Sequence, residues 1–343
     1  MSKKGTIIYE KFDSEILKGN PLGDPSERTF PVYLPPSYEE GDTRYPVVFM
    51  LIGFTGYGLM LMNHSYMSEN IEQRLDRLIS EEMMKEMIVV MPDCITKYGG
   101  SQYINSTATG DYEDYIIKEL VPYIDNKYRT TADAKSRAVI GKSSGGYGAT
   151  VLAFRNPDVF SMMCSTAGDM YFEFCYMPEF PHFIPAIEKK YGKGDEGVAN
   201  FIRDEINYRQ PKPKSFHTLI NTVGMASSYS PNPDGFDTKG YNFDLPFDTV
   251  TGEMKWDVFA KWKEHDPVNM AEPLSDNLRK LKLIYLDAGK SDEFNLNIGA
   301  RILCDRLGKL GISYGHEEFE GGHFSVQYRN DRSFEIISEY LEK

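Results

Sequence analysis

The chain has 343 residues, 41% hydrophobic and 26% charged, a balance that supplies enough apolar material for a large packed core. Its 51 acidic residues outnumber 38 basic ones, the net charge is -13, and the lysines and arginines are scattered, which argues against a nucleic-acid partner. The same field disfavours a highly anionic substrate over the surface at large, although a local pocket can reverse it.

No apolar run approaches the roughly 18–20 residues that a membrane span requires, so no membrane partner is expected. The opening MSKKGTIIYE lacks an apolar signal core and a small-residue cleavage site, so the chain is expected to start at its mature N-terminus and to be cytoplasmic. Cys94, Cys164, Cys175 and Cys304 lie far apart and form no C-x-x-C pair; they read as buried small hydrophobes rather than metal ligands or disulfides. The length fits two average domains or one large domain with an insertion, and homo-oligomerisation is compatible with the sequence.

Taken in chain order, TFPVYLPP (29–36), YPVVFMLIGF (45–54) and MIVVMPD (87–93) read as strands, the second and third apolar on both faces as central parallel strands are. IEQRLDRLISEEMMKEM (71–87) and DYEDYIIKELVPYIDNKY (111–128) carry apolar residues at three- and four-residue spacing and read as amphipathic helices. RAVI (137–140) is a strand, and the helix-like YGATVLAFRNPDVF begins at 147. LRKLKLIYLDAG (278–289), NIGARILCDRLGKLG (297–311), ISYGHEEFEG (312–321) and SFEIISEYLEK (333–343) read as strand, helix, strand and helix. Alternating strands and helices predict an α/β fold with a mostly parallel sheet. Residues 169–270 lose this rhythm and are rich in aromatics, prolines and glycines. The preferred division is a core in two parts, 1–168 and 271–343, with 169–270 inserted as a lid or cap.

Gly141-Lys142-Ser143-Ser144-Gly145 matches G-x-S-x-G, set between the strand RAVI and a helix. That context suits a serine nucleophile on a turn so tight that bulkier neighbours would collide with backbone. A plain glycine turn is the bland alternative. A phosphate-cradling loop would need glycine at 136, where Ser136 stands. An elbow serine needs a base and an orienting acid in the order Ser, Asp/Glu, His. Of six histidines, His323 in FEGGHFSVQ follows the last strand and two glycines, where the base belongs; His316 lies within the strand itself. For the acid, Asp292 in the loop after LIYLDAG is preferred to Asp287 and Glu293. The oxyanion hole is assigned to the amides of Ser144 and Phe54, the aromatic side chain of Phe54 being left free to line the pocket. Tyr171, Phe172, Phe174, Tyr176 and Phe180 form an aromatic cluster after a core strand, read either as a substrate pocket wall or as ordinary lid core.

These residues together resemble the esterase D family of α/β-hydrolases, which includes enterochelin esterases, feruloyl and acetyl xylan esterases, S-formylglutathione hydrolases and mycolyltransferases. NPLGDPSERTFPVYLPPSYEEGDTRYPVVFMLIGFTG resembles its entry strands and oxyanion loop, MPDCITKYGGSQYINSTATGDYEDYIIKELVPYIDNKYRT its middle segment, GKSSGGYGA its elbow and GGHF its histidine loop. The resemblance implies an α/β-hydrolase fold and a Ser143, His323, Asp292 triad with no metal and no organic cofactor. It departs at Ile52-Gly53, where such enzymes often carry His-Gly, so a polar contact behind the oxyanion loop is expected to be missing. The expected function is a serine carboxylesterase for small to medium esters, of aryl or feruloyl type, with a thioesterase of the S-formylglutathione type and a catalytically silent binding module as alternatives.

Overall fold

The computed structural model describes residues 3–205, 212 and 215–341. Among them, eight strands form one sheet: β1 (Thr6–Asp13), β2 (Glu27–Leu34), β3 (Val47–Leu51), β4 (Ile88–Val90), β5 (Arg137–Lys142), β6 (Met162–Thr166), β7 (Leu283–Gly289) and β8 (Gly315–Phe319). The spatial order is β1-β2-β4-β3-β5-β6-β7-β8. The first two strands pair antiparallel, β2 joins β4 antiparallel, and every later pairing is parallel.

β3 and β4 are apolar throughout because both faces of the sheet are covered there, yet side chains still alternate between two cores. Val47, Phe49 and Leu51 enter one core, and Val48 and Met50 enter the other. The smaller core is closed by α1 (Ile71–Ser80) and α9 (Arg329–Leu341), which contribute Leu75, Leu78, Phe334 and Ile337. On the other face lie α2 (residues 112–127), α3 (Ser144–Arg155) and α8 (Leu296–Lys309). The α2 segment is an α-turn at Tyr112–Asp114, a π-helical stretch at Tyr115–Leu120 and an α-helix at Val121–Lys127.

Helix α1 starts at Asn70, whose side chain accepts from the Gln73 amide while the Gln73 side chain accepts from the Asn70 amide, a reciprocal cap. It is shorter than the 71–87 periodicity predicts. Glu82 adopts a positive φ of 58°, which turns the chain out of the helix, and Met84 and Met87 reach the core from the turn instead. Arg74 and Arg77 both pair with Asp331 of α9, joining the two helices that cover this face. All four cysteines are buried and unpaired. Among the described residues no helix is long and apolar enough to cross a membrane.

Among the described residues between β6 and β7 lie the helices α4 (Phe180–Glu188), α5 (Gly194–Glu205), α6 (Phe216–Tyr229) and α7 (Trp256–Glu264). The aromatics of this region pack edge to face: Trp262 lies 5.5 Å from Tyr229 and 5.7 Å from Phe180, ring centre to ring centre. Tyr147 of α3 contacts Phe172 and Tyr229, so this aromatic core is continuous with the core on that face of the sheet.

The N-terminal strand β1, which the hydrophobic pattern did not single out, is held by a polar anchor. Glu10 is buried and accepts hydrogen bonds from Tyr123, Lys127 and Tyr128 at the end of α2. Burial alone would raise its pKa, but these donors outweigh burial and hold it below the ordinary glutamate value. The stability it contributes is therefore present above the unfolded-state pKa and is lost as pH falls through the folded-state value. Urea titrations across about pH 3–7 should show a shallower acid-side fall in stability for Glu10→Gln than for the wild type.

Candidate active site

The end of β5 turns into α3 through Ser143, whose φ of 58° and ψ of -129° form a backbone conformation that costs a non-glycine residue roughly 1–3 kcal/mol. The neighbouring glycines explain how the fold accommodates the bend. A Cβ on Gly145 would stand 2.5 Å from the Leu51 carbonyl oxygen, and one on Gly146 would stand 2.8 Å from Ser165 Oγ and 2.9 Å from Gly168 Cα. The first turn of α3 is thus pressed against the ends of β3 and β6, and only hydrogen fits in the contact. The Ser143 amide donates to the Thr166 carbonyl at 3.0 Å, while the Ser144 amide, in the first turn of the helix, has no intrahelical acceptor.

Three loops bring Ser143, His323 and Asp292 together. His323 Nε2 lies 3.0 Å from Ser143 Oγ, and His323 Nδ1 lies 3.0 Å from Asp292 Oδ2. The histidine and aspartate are 4% and 6% exposed, so the link between them is shielded from water, while Ser143 stays open to the cavity. Asp292 Oδ1 accepts from the amides of Phe294 and Leu296, which fixes its carboxylate. The two other acid candidates have separate partners. Asp287 is buried at the end of β7 and pairs with Arg329 at 2.7 Å. Glu293 accepts from the His323 backbone amide at 2.6 Å, holding the histidine loop, and its carboxylate fills the space where a Gly322 side chain would be. Phe294 and Phe324 stand edge-on to the imidazole, at 4.8 and 5.4 Å between ring centres.

Of the other histidines, His316 lies in β8 and His265 is stacked on Tyr229, where burial and then the charge of Arg155 push its pKa down to about 4. His217 of α6 lines the cavity beside Ser143, a position its sequence context did not reveal.

The oxyanion loop differs from expectation in two ways. The Phe54 amide has no protein acceptor among the described residues, and its ring lines the cavity as expected but is also held by packing. Added Cβ atoms on Gly99, Gly100 and Gly224 would stand 2.6, 3.1 and 2.7 Å from ring carbons of Phe54. The ring is therefore wedged between the 99–100 loop and α6, with one side toward the cavity. Nor is polar support lacking behind Ile52. The Tyr103 hydroxyl accepts from the Ile52 amide at 3.0 Å and donates to the Ile52 carbonyl at 2.6 Å, and the Thr55 amide donates to Gly99.

The cavity has a volume of about 460 Å³ and is lined by Gly53, Phe54, Ser143, Tyr176, Phe294, Phe324 and others. Of the five aromatics of the cluster singled out in the sequence, Tyr176 alone reaches it. Phe172 is fully buried behind Tyr147 and Tyr229, whereas Tyr171 and the exposed Phe174 pack on each other away from the cavity. Phe180 packs into the aromatic core. The cavity wall also includes residues of the 60–71 segment and of α9, among them Leu61, Ile71 and Asn330. Asp169 is buried in the wall and accepts from Ser144 Oγ (3.0 Å), Tyr176 (2.8 Å) and Gln102 (3.3 Å). Burial raises its carboxyl above the ordinary range despite these donors. Among the described residues no group of three or more His, Cys, Asp and Glu side chains is placed to hold a metal ion.

The sheet order and the position of the bend define an α/β-hydrolase fold. The family described as "Putative esterase" matches residues 25–331, and the chain belongs to it. Among curated relatives, the esterase Rv1288 of Mycobacterium tuberculosis is 25% identical over 335 residues, covering 92% of this chain and 55% of that protein. An endo-1,4-beta-xylanase/feruloyl esterase of Xylanibacter ruminicola is 29% identical over 163 residues, 44% of this chain and 20% of that one. The chain thus spans at most little more than half the length of these relatives. Solved structures of similar fold include a ferulic acid esterase (18% identity, TM-score 0.63, 99% of each chain covered). Another is an S-formylglutathione hydrolase from Agrobacterium tumefaciens (20% identity, TM-score 0.58, 99% of this chain and 97% of that one).

Tyr103→Phe leaves the part-buried Ile52 amide and carbonyl without their partner, so chemical denaturation should show a loss of about 1 kcal/mol or more of unfolding free energy.

Proposed function

We propose that this chain is a serine carboxylesterase. The observation that carries the reading is the hydrogen-bond chain from Ser143 through the buried His323 to the buried Asp292, with the serine on a strained, glycine-flanked bend. In this mechanism Ser143 Oγ attacks the ester carbonyl carbon while its proton passes to His323 Nε2. Asp292 holds the Nδ1–H tautomer and stabilises the imidazolium. The amides of Phe54 and Ser144 receive the oxyanion, which collapses as His323 returns the proton to the leaving alcohol. Water, deprotonated by the same histidine, then releases the acid and restores Ser143.

The aromatic walls contributed by Phe54, Tyr176, Phe294 and Phe324 favour esters with an aryl or similarly broad apolar group. The relative and the structural neighbour named as feruloyl and ferulic acid esterases point the same way. We assign 169–270 as a cap, since Tyr176, His217 and Asn221 from that region line the cavity. The S-formylglutathione hydrolase neighbour keeps a thioester substrate as the second reading.

Hydrolysis of 4-nitrophenyl acetate, methyl ferulate and S-formylglutathione by wild type and Ser143→Ala tests both. Ester turnover should fall on the order of a thousandfold or more in kcat in the variant. Near-wild-type turnover by the variant would refute the assignment, and serine-dependent turnover confined to the thioester would select the second reading.

A further inference from the structure

The charged side chains of the cavity wall are Glu69, Arg74, Lys142 and Asp169, beside the histidines. Arg74 is paired with Asp331 and lies 3.8 Å from Glu69, which also pairs with Arg77. Asp169 is occupied by Ser144, Tyr176 and Gln102. Lys142 is different: it has neither an ion pair within 4 Å nor a hydrogen-bond acceptor among the described residues. Its ammonium lies 5.6 Å from the centre of the Phe324 ring.

The carboxylates whose charge it senses are committed elsewhere. Asp292 is bound to His323 and two amides, Glu293 to the His323 amide, and Asp169 to its own network. Burial pulls the Lys142 pKa down, and these three negative charges oppose that pull. A half-buried cation without a counter-ion is costly, and the cost grows when a bound molecule expels the remaining water. The chain places this cation immediately before Ser143, inside a protein whose net charge is -13. Lys142 thus sets a local positive charge against the negative field of the protein at the point where an anion would otherwise be repelled.

We propose that Lys142 is a specificity-determining residue and that the preferred substrates are esters bearing a carboxylate, on either the acyl or the alcohol side, which pairs with its ammonium. This rests on the carboxylesterase reading above. Methyl ferulate and other neutral aryl esters would then be hydrolysed, but less efficiently than anionic counterparts of similar size.

Two matched pairs test the proposal and separate the two sides: mono-4-nitrophenyl glutarate against 4-nitrophenyl pentanoate, and 4-acetoxybenzoate against its methyl ester. In at least one pair kcat/KM should favour the anion by about tenfold, the scale of one charge-assisted contact. That ratio should fall about tenfold in Lys142→Met, be retained in Lys142→Arg, and shrink in the wild type as salt rises. Retention in Lys142→Arg distinguishes a charge effect from damage to the fold. Serine-dependent hydrolysis of the neutral esters with no anion preference in either pair would overturn this proposal while leaving the esterase reading intact. A preference that survives in Lys142→Met would also overturn it. No serine-dependent hydrolysis of any of the four esters would overturn both.

Discussion

The contact between the first turn of α3 and the end of β3 is the constraint on which the site depends. With only hydrogen atoms on Gly145 and Gly146, the helix start can press against the Leu51 carbonyl and the β6–Gly168 turn. That approach over-determines the backbone of Ser143 and holds it at a φ of 58°, where an isolated serine would rarely stay. Once this bend is fixed, Ser143 stands at the ends of the strands, and Ser144 and Phe54 line the same cavity. The catalytic reading therefore rests on packing as much as on the hydroxyl.

The second element is a set of loops stiffened by short, specific hydrogen bonds. The Tyr103 hydroxyl joins the amide and carbonyl of Ile52, Glu293 holds the His323 amide, and Asp292 is held by Phe294 and Leu296. The first two pin backbone segments, and the third fixes the carboxylate that holds the imidazole. The distance from His323 to Ser143 is thus set by groups that never need to touch substrate. Asp169 performs the same kind of task on Ser144, through a buried carboxylate shared with Tyr176 and Gln102.

How much of this was legible in the sequence follows from how local each signal is. The elbow, the central strands and α8 announce themselves through neighbouring residues: glycine spacing, apolar runs and three- to four-residue periodicity. His323 and Asp292 were accessible because each lies just beyond a recognisable strand. Tyr103, Asp169 and His217 were not, because nothing near them in the chain marks them, and their roles arise only from contacts across the fold. The pocket aromatics show the same limit. Tyr171, Phe172, Phe174 and Tyr176 are alike in composition, but a short helix at Phe172–Cys175 sends them in different directions, and only Tyr176 faces the cavity. The strand β1 escaped notice because its inward anchor is a glutamate, Glu10, in place of an apolar residue. Likewise, the ring of Phe54 becomes part of the packing because Gly99, Gly100 and Gly224 close on it from distant parts of the chain.

The central claim is that Ser143 is an activated nucleophile, made so by its bend and by His323. The most direct test is to treat the folded protein with a fluorophosphonate, measure its intact mass and map the modified peptide. The account predicts a single adduct, carried by Ser143 and strongly slowed in His323→Ala. An unmodified protein, or an adduct on another residue with Ser143 untouched, would contradict it.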